Sequence, residues 1–264
     1  AVIDGEGRHR GIMMAYKGIS PYAFIIDSLT ISNGYGTNMG GGILFSPGND
    51  ERGGAFTGVV QNCVITHNKA GGLWSGGAGA GIYGRQAQGA AWGYVISNCV
   101  IAHNHALYGA TNNRAAYGGG LYFGADTRGD LSNVTVTQNT ADWSITGVGD
   151  GGGDGGGIVS ASQYSIVLRN SLVAENSDRS LVAPPNYGKP DCDGSFESDG
   201  YNLIGNKTCT ITAQTGDQFG NRFSPVDPLL GDRIDNATPN YTSYYPILES
   251  SPLIDRGNPS GCVN

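Results

Sequence analysis

Three imidazoles and an ammonium fall at related positions in this chain: His67 beside Lys69, and His103 beside His105. Such a group could abstract a proton near neutral pH while a cation neutralises a substrate carboxylate, the chemistry of a polysaccharide lyase acting on a uronate. The next equivalent positions carry Gln138 and Glu175, so the column is not built for one purpose, and a plain surface stack accounts for it as well. A second candidate is the stretch GVGDGGGDGGG at 147–157, where Asp150 and Asp154 stand among glycines. Carboxylates and carbonyls in a Gly-rich loop suit calcium, which takes six to eight oxygens. The spacing does not follow the nonapeptide calcium repeat and does not recur, which favours an ordinary loop. The other carboxylates, Asp27, Asp142 and Glu175, are scattered and single out no pair for glycoside hydrolysis. No nucleophile elbow, phosphate-binding loop or HExxH is present. Trp74, Trp92, Trp143, Tyr83, Tyr108 and Tyr122 could stack on sugars, though packing over loop edges is the commoner fate of such rings.

Whatever chemistry exists must be positioned by a repeat. The phrases DSLTISN, NCVITHN, NCVIAHN, NVTVTQN and NSLVAEN close on Asn33, Asn68, Asn104, Asn139 and Asn176, at steps of 35, 36, 35 and 37. A second phrase, GGGILF, GAGIYG, GGGLYF and GGGIVS, keeps nearly the same beat through Ile43, Ile82, Leu121 and Ile158. The segments between are short, β-branched and aromatic, which suits strands. A unit of about 36 residues holding some three short strands makes one coil of a parallel solenoid, each coil pairing with the next at about 4.8 Å. Equivalent residues then stack. Cys63 lies on Cys99, and Ile65, Ile101, Val136 and Val173 form a core column with Val64 and its counterparts outside. The five asparagines form a ladder, tolerating the left-handed backbone of a sharp turn and bonding coil to coil. A β-propeller is the rival, but its blades need four antiparallel strands and hairpin turns.

Composition agrees with an all-β fold. Gly is 45 of 264 residues and charged residues are only 14%, which excludes collagen-like and disordered chains. A net charge of −7, with no Lys/Arg run, argues against nucleic acid as a partner. No apolar stretch is long enough for a membrane span. No signal peptide is seen, and since Ala1 is not an initiator Met its absence says nothing. None of the five cysteines has metal spacing. Cys192 and Cys209, 17 apart in a loop-rich region, suit a disulfide, while the pairing of Cys63, Cys99 and Cys262 stays open. Asn133, Asn206, Asn236 and Asn240 head N-glycosylation sequons, meaningful only in a eukaryotic secretory host.

After Asn176 the rhythm breaks. Beyond a Pro-containing excursion come DCDGSFESDGYNLIGN at 191–206, TGDQFG at 215–220, SPVDPLLGD at 224–232 and SPLIDRGNP at 251–259. This string, together with the VIDGEG opening and the NCVI coils, resembles bacterial cell-surface proteins of the choice-of-anchor Q and polymorphic-outer-membrane-protein-like type. The resemblance covers most of residues 2–259. It implies a right-handed, single-stranded parallel β-helix, export, and attachment of a longer parent to a cell surface, without implying a reaction. The expected layout is coils over 1–190, with 191–264 supplying the last coils and an irregular C-terminal cap of the same domain. The expected function is a secreted or cell-surface structural or adhesive solenoid, with glycans or copies of itself as partners and end-to-end assembly through the first coil. The alternative is a carbohydrate-active enzyme, lyase or hydrolase, or a glycan-binding module on the same fold.

Overall fold

The computed structural model describes residues 1–16, 22–47, 56–72, 75–85, 92–107, 109, 115–143, 154–179, 188–235 and 243–260. Among them there is no α-helix, and every named strand pairs parallel. The chain winds through four sheets in rotation, one more per coil than the repeat suggested, because a two- to four-residue strand follows each ladder asparagine. Sheet A stacks Val2–Asp4, Thr30–Ser32, Val64–Thr66, Val100–Ala102, Thr135–Thr137, Leu172–Ala174, Leu203–Ile204 and Gln218–Phe219. Sheet B stacks the four strands after the Gly triplets between Ile12–Tyr16 at one end and Cys192–Gly194 at the other. Sheet C holds the longer strands, including Tyr22–Asp27, Phe56–Gln61, Trp92–Ser97, Thr127–Ser132 and Ile166–Arg169. Sheet D holds the short ones, Tyr35–Gly36 through Ser177–Asp178. The fold is a parallel β-solenoid.

Inward columns fill the core. Ile31, Ile65, Ile101, Val136, Val173 and Ile204 are in register in sheet A and buried. Ile43, Ile82, Leu121, Ile158 and Cys192 do the same in sheet B. Phe45, Phe56 and Tyr94 pack ring against ring between them. Val64 and Val100, expected outside, are also buried. The C-terminal segment covers them, folding back along the outer face of sheet A. Tyr245 packs on Val64, Val100 and Ala102, while Val226, Leu230 and Leu253 pack on Leu172, Ala174 and Leu203. The stretch expected to cap the last coil thus divides. Residues up to Phe219 continue the coils, and the chain beyond them forms a strap along the side.

The ladder is buried and has a direction. Each backbone N–H and each Nδ2 of Asn68, Asn104 and Asn139 donates to the Oδ1 of the next asparagine, at 2.9–3.0 Å. The remaining amide hydrogens go to Ile31, Ile65, Ile101 and Val136 carbonyls of the preceding coil. Asn176 donates twice to Asp191 Oδ1, where the ladder ends. An amide can both give and accept, so a one-way ladder needs a terminal group that only accepts, and a carboxylate is that group. At the other end the first acceptor, Asn68 Oδ1, takes the Gly34 N–H.

Asn33 is therefore not a rung. Ser32 pairs with Thr66, which sets Asn33 beside His67 and Gly34 beside Asn68. Asn33 is exposed, at φ 52°, and donates to the Asp4 carboxylate. The left-handed backbone likewise belongs to the residue before each rung: His67, His103, Gln138 and Glu175 have φ between 55° and 59°. The rungs also explain the glycine triplets. A methyl on Gly81 would sit 2.5 Å from Gly120 O and 3.1 Å from Asn104 Nδ2, and the same clash recurs at Gly42, Gly120 and Gly157. The two repeated phrases are one device, with each asparagine filling space that the third glycine leaves.

Two consequences for stability can be measured. Asn104→Ala strands the Asn68 N–H and Nδ2 and the Ile65 carbonyl, so chemical denaturation should show a loss of at least about 2 kcal/mol. Asn33→Gly, which keeps the left-handed turn, should stay within about 0.5 kcal/mol; equal losses would contradict the register. The second consequence concerns Asp191. Burial pushes its carboxyl from 3.8 up to about 6, outweighing the bonds from Asn176 and Asn206. Between those values the folded chain holds a proton that the unfolded chain releases, so stability falls as pH rises through this window. The advantage of the native chain over Asp191→Asn should shrink from pH 4 to pH 7, by on the order of 3 kcal/mol at most.

Candidate functional site

The strap and the solenoid meet at the corner between sheets A and D, and the titratable groups gather there. The left-handed turn throws the side chains of one column outward, so His67 and His103 stack with ring centres 5.0 Å apart. Thr66 Oγ1 bonds to His67 Nδ1 at 2.9 Å. From the strap, Arg233 Nη1 donates to Thr66 Oγ1 at 3.2 Å while its Nε pairs with Asp235 at 2.9 Å. Tyr245 Oη lies 3.0 Å from His103 Nε2 and donates to Gln138 Oε1 at 3.4 Å. Partial burial lowers both histidines, with the Arg233 charge adding to it, so both rings are neutral at pH 7. Burial also raises the Tyr245 phenol.

The expected basic column divides in two. His67 and His103 occupy the corner, whereas Lys69 and His105 are register partners in sheet D. Burial holds His105 down to about 4, with Lys69 and both corner histidines reinforcing the shift. Asp154 sits 3.0 Å from the Lys189 ammonium, which also pairs with Asp193 at 2.8 Å, so a lysine stands where the calcium expectation placed a metal. Asp150 lies outside the described residues, as do Trp74, Tyr108, Asn236 and Asn240. Among the described residues no group of three or more His, Cys, Asp or Glu could hold a metal ion. The other scattered carboxylates bond structurally: Asp142 accepts the Ala116 N–H, and Glu175 accepts the Thr137 hydroxyl.

Cys192 and Cys209 form a disulfide, joining the last sheet B strand to the chain above the Leu203–Ile204 coil. Cys63 and Cys99 are free and buried one above the other, the Cys63 N–H pointing at Cys99 Sγ at 3.4 Å. Cys262 lies outside the described residues. Their column continues as Val134 N–H to Ser171 Oγ, Ser171 N–H to Asn202 Oδ1, and Asn202 to Asp217 Oδ1. Valine offers no side-chain acceptor to the cysteine pair before it, but from Val134 onward the bonds are continuous and form a second ladder that again ends on an aspartate.

A third ladder lies on the surface, at the asparagines that open each phrase. Asn170 donates to Asn133, Asn133 to Asn98, Asn98 to Asn62, and Asn62 to Asp27. It runs opposite to the inner one and ends on a carboxylate at the first coil. Hydrogen bonds from Asn62, Gln61 and Ser28 hold the Asp27 carboxyl below its ordinary value. Its spacing is visible in the repeat; its role is not, since the phrase does not say which of its two asparagine columns bonds coil to coil. Arg233 and Tyr245 have no signal in the sequence, because the contacts they make span 167 and 142 residues.

No family model matches the chain, and no curated protein and no solved structure matches it either. No described helix is long and apolar enough to cross a membrane.

The corner makes its own test. His67 and His103 should titrate below the ordinary histidine value in an NMR pH series, and Arg233→Ala should raise both. Unchanged values in the variant would remove the strap from the corner.

Proposed function

We propose that this chain is a secreted or cell-surface structural and adhesive β-solenoid, and that its polar groups lock coils and strap together instead of turning over a substrate. One observation carries the proposal: the groups with chemical potential are engaged internally. His67 bonds Thr66, His103 bonds Tyr245, Lys189 bonds two aspartates, and Asp191 and Asp217 end ladders. A catalytic base needs to reach a substrate proton within about 3 Å, and His67 Nδ1, His103 Nε2 and Lys189 Nζ already have partners at that distance.

Two further points support an extracellular setting. A disulfide between consecutive coils suits an oxidising compartment. The DPLLG and SPLIDRGNP phrases resemble those of surface-attached β-helix proteins. The lyase or hydrolase alternative would need the corner histidines to act on a glycan. A degradation screen over neutral and acidic polysaccharides, with and without calcium, should yield no products. Products that appear with the native chain and vanish with His103→Ala would replace the structural assignment with an enzymatic one.

A further inference from the structure

A trough of about 460 Å³ runs along the outside of sheet C beside the surface ladder. Its floor is the register column Gln61, Ser97, Ser132 and Arg169. The depression exists because two serines sit between two long side chains. One wall is the ladder of Asn62, Asn98 and Asn133, whose amides are held in fixed orientation by the bonds between them. The other wall is formed at Val95, which is 37% exposed, and at its register neighbour Asp130. Arg169 is clasped by Asp130 at 2.9 Å and Asp199 at 3.2 Å, so its charge is neutralised in place.

We infer that this trough binds a linear, neutral polysaccharide laid parallel to the solenoid axis. Hydroxyls both donate and accept, and primary amides offer both functions at every coil. The C–H face of a sugar ring finds an aliphatic surface at Val95, and the carboxylate of Asp130 accepts from hydroxyls beside it. Four coils at about 4.8 Å each give the floor a length of roughly 14 Å, enough for about three rings. The coil repeat is close to the length of one extended pyranose unit, so successive rings meet successive amides. Charge selects the class. Asp27, Asp130 and Asp199 outnumber Arg169, and a uronate chain would meet net repulsion.

The assignment rests on an extracellular, adhesive role and supplies its ligand class. Calorimetric titration of the intact chain with cellohexaose, xylohexaose, mannohexaose and hexagalacturonate tests it. At least one neutral hexamer should bind in preference to hexagalacturonate. Ser132→Trp and Ser97→Trp, each filling the trough from an outward strand position, should weaken that binding at least about tenfold. Their melting temperatures, measured alongside, should match the native one for at least one variant. Absence of binding to any neutral hexamer, preference for the uronate, or unchanged affinity in a folded Trp variant would overturn the trough. None of those results would produce polysaccharide cleavage, the outcome that would overturn the structural role itself.

Discussion

In a solenoid of parallel coils the turn residues of each column bond from coil to coil, so each ladder runs along the stack in a single direction of its own. Amide side chains meet that constraint, and they impose another: a ladder of donors into acceptors must stop on a group that only accepts. The inner ladder from Asn68 ends on Asp191, the cysteine–serine column ends on Asp217, and the surface ladder ends on Asp27. The first two run toward the C-terminal coils and the third runs back. Three terminations of one kind, at both ends of the stack, show where the fold needs its aspartates. Buried unpaired amides would each cost on the order of 1–3 kcal/mol, so inside the solenoid the terminators are as necessary as the rungs.

The same constraint sets the glycines and the strap. A rung fits only where the third residue of each triplet lacks a Cβ, since Asn68, Asn104, Asn139 and Asn176 fill that space. Sheet A then has apolar residues on both faces: one closes the core, and the other would lie bare. The strap covers the second face with Val226, Leu230, Tyr245 and Leu253. In crossing the corner it places Arg233 and Tyr245 over the histidine stack. The electrostatics of the corner, neutral imidazoles under a guanidinium, are a consequence of covering apolar surface.

The periodicity of two short phrases is sufficient to read the parallel stacking, the core columns and the Asn68-to-Asn176 ladder. It fails at the first coil, where aligning DSLTISN with the later phrases sets Asn33 against Asn68; strand pairing shifts it by one, and Gly34 takes the place of the rung. A glycine there carries no side chain to betray its position. The fourth strand of each coil hides in segments as short as Lys69–Ala70, too brief to show alternation. The strap resembles an end cap in sequence because its prolines and irregular rhythm mark a break without saying where the chain goes next. Contacts made across more than 100 residues leave no local trace, and Arg233 and Tyr245 are the clearest cases.

Groups that look reactive in isolation are thus explained first by the stacking of coils, and function is assigned to the surfaces that stacking leaves open. Both depend on the inner ladder being intact and continuous in solution. Native-state hydrogen exchange at the backbone N–H groups of Asn68, Asn104, Asn139 and Asn176 measures it directly, since each bonds to a side chain of the next coil rather than to another backbone group. These four amides should exchange only through global unfolding, with the same opening free energy as neighbouring strand amides such as Ile101. Exchange faster by orders of magnitude at these four positions, with the strands protected, would contradict a continuous ladder.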